Sequence, residues 1–132
     1  MSEAEDKGLA LFAEIYGEEA AEGARRNYAE PGTFGGEQSR WTMEWTFGSV
    51  WSRDGLERKL RSCTVLGMLI AQGAFDEIKY HTRMGIKNGL SRTELEEIFY
   101  TTFPYCGFPA AAKAKRATLE AFAEIDNQEN TK

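Results

Sequence analysis

The sequence predicts an all-α fold of about six helices, and three observations predict it. No segment of the 132 residues sustains the period-two alternation of a half-buried strand. Apolar residues recur instead at three- and four-residue spacing, as in Leu9, Phe12, Ile15 and Tyr16. Between such runs stand helix start and stop signals, of which Ser91-Arg92-Thr93-Glu94, Gly17, Gly73 and Asn88-Gly89 are the clearest.

Taken in order, residues 4–16 put Leu9, Leu11, Phe12, Ile15 and Tyr16 near one helical face, and Gly17 can stop that helix. Residues 18–29 continue as a weaker helix rich in Ala and charge. Pro31, Gly32, Gly35 and Gly36 mark a loop. From Glu37 to about Trp51, Trp41, Trp45, Phe47 and Trp51 predict a helix with a large contact surface, with Gly48 weakening its last turn. Asp54 and Glu57 have capping-box spacing, so the next helix is expected to open at Asp54, carry Leu56, Leu60, Cys63, Leu66 and Ile70, and end at Gly73. Another runs from Asp76 to Asn88-Gly89. Ser91 with Glu94 opens the next, with Leu95, Ile98 and Phe99 inside, and Pro104 is expected to break or end it. Pro109 suits the first turn of a last helix reaching about Ile125. The tail, residues 127–132, has nothing to bury and is expected to be disordered.

The length fits one domain, expected over residues 1–126. Three Trp, five Tyr and eight Phe are a generous aromatic load, part of which suits a subunit interface. The net charge of −5 argues against a nucleic-acid partner. No run of apolar residues is long enough to span a membrane, and the acidic opening MSEAEDKG has no apolar signal core, so a cytoplasmic protein is expected. Cys63 and Cys106 are far apart and form no C-x-x-C, and two such thiols are expected to stay reduced.

His81 is the one histidine, and Glu77 lies four residues before it, on nearly the same side of one helix. A carboxylate there can orient the ring and raise its pKa, which suits proton transfer near neutral pH. The same spacing also occurs in solvated surface pairs. One His, one Glu and two distant Cys do not make a zinc set, and no metal is expected. Arg53, Arg58, Lys59 and Arg61 form the most basic stretch of an acidic chain. Arg58 and Arg61, three apart, can share a face and clamp a carboxylate, although a solvated face paired with Asp54 and Glu57 reads equally from the spacing. Cys63 falls on an apolar stripe, as a buried thiol would.

The run WSRDGLERKLRS at 51–62 resembles the W-x-R-x-G-L-x-R-x-x-R-S signature of the carboxymuconolactone decarboxylase family. The resemblance continues, in order, through Glu77-Ile78-Lys79-Tyr80-His81, Asn88-Gly89-Leu90-Ser91 with Glu94-Leu95, and Tyr105-Cys106-Gly107-Phe108-Pro109-Ala110-Ala111. It covers about residues 47–118. It implies an alkylhydroperoxidase-D-like helical fold and a homo-oligomer, a hexamer or trimer. The peroxidase branch of that superfamily uses a C-x-x-C before its histidine, whereas Phe75 and Ile78 stand six and three residues before His81 here. The decarboxylase branch keeps the Glu and the His, as this chain does. Ser49, Pro104 and residues 1–46 depart from the pathway enzyme's pattern, which leaves open a paralogue for a different lactone or keto acid.

What the resemblance implies is a cofactor-independent decarboxylase of a carboxylated lactone, like 4-carboxymuconolactone, or of a related keto acid, serving aromatic-compound catabolism. Its partner is a small organic anion. His81 would be the acid/base and Glu77 its orienter. Arg58, Arg61, Tyr105 and Cys106 would contact the substrate, in a cation-lined cavity opening on His81. Loss of CO2 from such a lactone sends electrons into the conjugated carbonyl, so no cofactor is needed as a sink. Two other readings stay open: a thiol-dependent redox protein using Cys106 or Cys63, and a non-catalytic oligomeric binding module.

Overall fold

The computed structural model describes residues 2–29 and 32–130, apart from the side chains of residues 28 and 29. Among these residues are seven α-helices and one π-helical segment, and no strand. The all-α expectation therefore holds. The chain forms two compact units, Met1–Leu56 and Glu57–Lys132.

The first unit holds α1 (Glu3–Tyr16), α2 (Glu18–Ala29) and α3 (Gly36–Trp41), which runs directly into the π-helical segment Thr42–Trp51. Ser2 caps α1 by accepting the Glu5 N–H at 3.1 Å, and Gly17, with φ at 99°, ends it as expected. The expected Glu37–Trp51 helix is thus present, but wound in two ways. Its second part is π-helical, with the Ser52 N–H donating to the Phe47 carbonyl five residues back.

Two glycines permit the closest helix contact of this unit. A Cβ built on Gly8 of α1 would lie 1.8 Å from the Met43 carbonyl oxygen, and one on Gly48 would lie 2.0 Å from that of Ala4. Only glycine lets the two backbones meet. Leu9, Ile15, Met43, Phe47 and Trp51 fill the core around this crossing, and Phe12 meets Phe47 edge-on at 5.2 Å. Buried Glu5 is matched by Arg40 at 3.1 Å, which also pairs with Glu37. Those carboxylates, Glu37 first, hold the guanidinium above its ordinary value. Pro31 of the expected loop lies outside the described residues.

The second unit is built from α4 (Arg58–Gln72), α5 (Phe75–Lys87), α6 (Arg92–Cys106) and α7 (Phe108–Asn130). Ile70, Ile78, Ala114 and Ala117 form one buried cluster, and Leu66, Leu90 and Leu95 another. Ala111, Ala114, Ala117 and Ala121 lie at helical spacing along α7, and their small side chains let α5 pack closely on it. Glu124 of α7 receives Lys79 at 2.7 Å and also Arg83, which fixes α5 against α7 from the rim.

Three boundaries differ from expectation. α4 opens at Arg58 rather than Asp54, because the chain turns at Asp54-Gly55 and Glu57 stays extended, with ψ at 145° and no side-chain cap. α6 runs through Pro104 to Cys106. The ring removes one hydrogen bond in the last turn, where exposure lets water replace it. α7 continues past Ile125 to Asn130, so residues 127–130 are helical, and Arg92 grips Asp126 at 2.6 Å just before them. Thr131 and Lys132 lie outside the described residues.

Candidate active site

α5 carries His81 half-buried between two kinds of neighbour. Ile78 and Thr82 on the same helix have no exposed surface, while Glu77 and Tyr80 are exposed. Nδ1 of the imidazole is covered from solvent. The Tyr80 ring stands edge-on to it, with centroids 5.4 Å apart. Burial alone pushes the imidazole below its ordinary value of 6.5. The expected upward shift from Glu77 is corrected in direction: Glu77 is exposed, and burial of the ring lowers its pKa.

Arg58 and Arg61 occupy the first turn of α4, both half-buried, and Nε of Arg61 is covered from solvent. The partial positive charge of that helix end adds to theirs. Asn88, just past the end of α5, donates to the Ser62 hydroxyl at 3.0 Å, so the start of α4 lies beside the end of α5. Asn88 is seven residues beyond His81, an axial offset of about 10 Å on α-helical rise. The first turn of α4, with its two arginines, thus lies beside the C-terminal end of the helix that carries His81.

Tyr105 and Cys106 end α6 at the Gly107 corner. Tyr105 is 85% exposed, and Cys106 is half-buried. Cys63 packs against Leu66, Leu90 and Leu95, and burial, more than the nearby Glu94, pushes its thiol up. A thiol held protonated is a poor nucleophile, so Cys63 lends no support to redox chemistry. Among the described residues no group of three or more His, Cys, Asp or Glu side chains gathers as metal ligands would. No described helix is long and apolar enough to cross a membrane.

A cavity of about 660 Å³ lies between α6 and α7, and its lining does not include His81. Leu95, Phe99, Phe103, Leu119 and Phe122 line it, with Arg92 and Lys115 among its polar residues. Arg92 is already committed to Asp126 and lies 4.3 Å over the Phe122 ring. The cavity's lining holds no imidazole and neither Arg58 nor Arg61. Sequence reasoning missed this groove, although the spacing of Phe99, Phe103 and Leu95 signals an apolar face on α6. It also missed the Ser62–Asn88 bond, for which no local pattern exists.

Comparison with known proteins gives a consistent picture. Residues 37–120 match the profile described as the carboxymuconolactone decarboxylase family. A nitrosuccinic acid decarboxylase of Metarhizium robertsii is 39% identical over 120 residues, covering 91% of this chain and 82% of its own. A 4-carboxymuconolactone decarboxylase of Acinetobacter baylyi is 30% identical over 119 residues, covering 90% of this chain and 87% of its own. An uncharacterised 15.0 kDa protein of Paracoccus denitrificans is 28% identical over 65% of this chain.

Proposed function

Since the chain belongs to the carboxymuconolactone decarboxylase family, we propose that it is a cofactor-independent carboxy-lyase for a small dicarboxylate whose departing carboxylate is set against an electron sink. The observation that carries this reading is the reaction shared by the names of two relatives with different substrates. In nitrosuccinic acid the leaving carboxylate shares its carbon with a nitro group. In 4-carboxymuconolactone it is conjugated through a double bond to the lactone carbonyl. Either sink accepts the electron pair, and each acid has a second carboxylate by which it can be held.

On this reading Arg58 and Arg61 hold the second carboxylate. The carbon–carboxylate bond breaks, its electron pair moves into the sink, CO2 leaves, and one proton is added at carbon. His81 supplies that proton. A carboxylate arriving beside the half-buried ring favours its charged form, so substrate binding itself helps to load the proton. Glu77 orients the ring from one turn away. Tyr105 and Cys106 contact substrate only where another surface covers the exposed Tyr105, which fits a homo-oligomer, trimer or hexamer, measurable by light scattering.

The higher identity to the nitrosuccinic acid enzyme makes the α-nitro acid the first substrate to try. Turnover of the lactone, or of a keto acid of like design, would instead connect the protein to aromatic-compound catabolism. The test follows CO2 release from 2-nitrosuccinate and, separately, from 4-carboxymuconolactone. Wild type is expected to turn over at least one, and His81→Ala to lose about 10²-fold or more in kcat. Folded protein that releases CO2 from neither acid would remove the reading, and an unchanged rate in His81→Ala would remove His81 from it.

A further inference from the structure

We propose that Ser62 and Asn88 are positioning residues that set the separation between the Arg58–Arg61 pair and His81. The proposal rests on the carboxy-lyase reading above. Ser62 follows Arg61 directly, lies four residues after Arg58, and has no exposed surface. Its hydroxyl accepts the Asn88 amide at 3.0 Å, across 26 residues of chain. Other contacts at this end of α4 differ from this bond in their exposure. Glu57 gives no side-chain cap, the turn before it is exposed, and the Lys59–Glu94 pair at 2.8 Å joins two side chains that are each about two-fifths exposed. Water competes for such a pair, whereas a hydrogen bond to a hydroxyl with no exposed surface is more sheltered.

The Ser62–Asn88 bond therefore acts as a register pin. It holds the first turn of α4 against the end of α5, and α5 is the rigid rod that carries His81 two turns away. Releasing it loosens the first turn of α4 against α5, and with it the placement of the arginines relative to the imidazole. The distance between the anchored carboxylate and the proton donor then loosens, and substrate affinity suffers before the chemical step does.

The test uses Ser62→Ala, Asn88→Ala and the double variant of the full chain. KM for the turned-over acid is expected to rise about tenfold in each single variant, with kcat changed less than about twofold and the pH profile of kcat unmoved. The double variant should be no worse than either single one, since both remove the same bond. Succinate, which lacks a sink and cannot react, is the second probe, and calorimetry should show its binding weakened in step with KM. That measurement stands even if neither acid is decarboxylated, and so separates failure of this proposal from failure of the activity. Lowered thermal stability with unchanged KM and succinate affinity would overturn it, as would additive effects in the double variant or wild-type protein that does not bind succinate.

Discussion

Lys59 Nζ stands 2.8 Å from one oxygen of Glu94, while the other oxygen of the same carboxylate accepts the Ser91 N–H at 3.0 Å. One side chain thus closes the capping box of α6 and ties that helix to α4. The hydrogen bond from Lys59, and then that from Ser91, hold Glu94 below its ordinary value of 4.5, and Lys59 is raised above 10.5 chiefly by the same bond. A lowered carboxylate stabilises the fold above its ordinary value, and that contribution is lost as pH falls through the folded value. The raised lysine contributes fully below 10.5, and its part is lost as pH climbs through the folded value. Glu94→Gln should therefore flatten the acid limb of a Tm-against-pH curve below pH ~4.5. Ser91→Ala removes the other half of the box and should cost about 1 kcal/mol in urea unfolding at neutral pH.

His81 gives a second pH signature. Its folded value is lowered, so the stability it contributes is complete above 6.5 and falls as pH drops from there toward the folded value. Catalysis should run in the opposite sense. The protonated ring is the competent one, so kcat/KM is expected to decline as pH rises through the free protein's lowered value. The decline of kcat should come at higher pH, because bound carboxylate favours the charged ring. Coincident profiles would show that substrate does not load the proton.

Two glycine-to-alanine changes should have opposite signs. At Gly8 a methyl group would stand 1.8 Å from the Met43 carbonyl oxygen, so one backbone must move, and the loss should approach or exceed about 3 kcal/mol. At Gly23, inside α2, the nearest atom to a built Cβ is the Arg26 Nη2 at 3.9 Å. There the alanine removes unfolded-chain freedom and should stabilise by about 0.5–1 kcal/mol. Chemical denaturation of both variants checks the pair.

Cys63, its thiol raised by burial, should resist mild peroxide and react slowly with iodoacetamide at pH ~8, a pH at which an ordinary exposed thiol is partly ionised. Peptide mass spectrometry reads this directly. Rapid sulfenate formation at Cys63 would revive the redox reading.

Ser91 and Asp54 share the same spacing to a glutamate, yet only Ser91 caps a helix. The pattern is local, and it succeeds where the following residues have something to bury, as Leu95 does. After Asp54 come Gly55, costly to order, and Leu56, still 37% exposed, so the chain turns instead. Pro104 misleads for the converse reason: Phe103 meets Phe99 at 5.1 Å and Phe108 at 5.0 Å, contacts that hold the last turn of α6 and that no local signal announces. The placement of Glu77 and His81 on one helix was legible from spacing. The burial that reverses the expected pKa shift was not, because it depends on neighbours distant along the chain. That Arg58 and Arg61 share one helical turn is legible from their spacing, but the meeting of Asn88 with Ser62 is not, since those residues have no pattern in common.

The winding of Thr42–Trp51 has an evolutionary corollary. A π turn holds about one residue more than an α turn, so the crossing of Met43 and Gly48 with α1 depends on the number of residues in this segment. Removing one residue without a compensating change of winding would rotate the downstream positions by about 100°. Gly48 would then swing away from Ala4, and a bulkier side chain would enter the narrow crossing with α1. Length variation among relatives should therefore be tolerated in the loop before Gly36 and selected against between Met43 and Gly48.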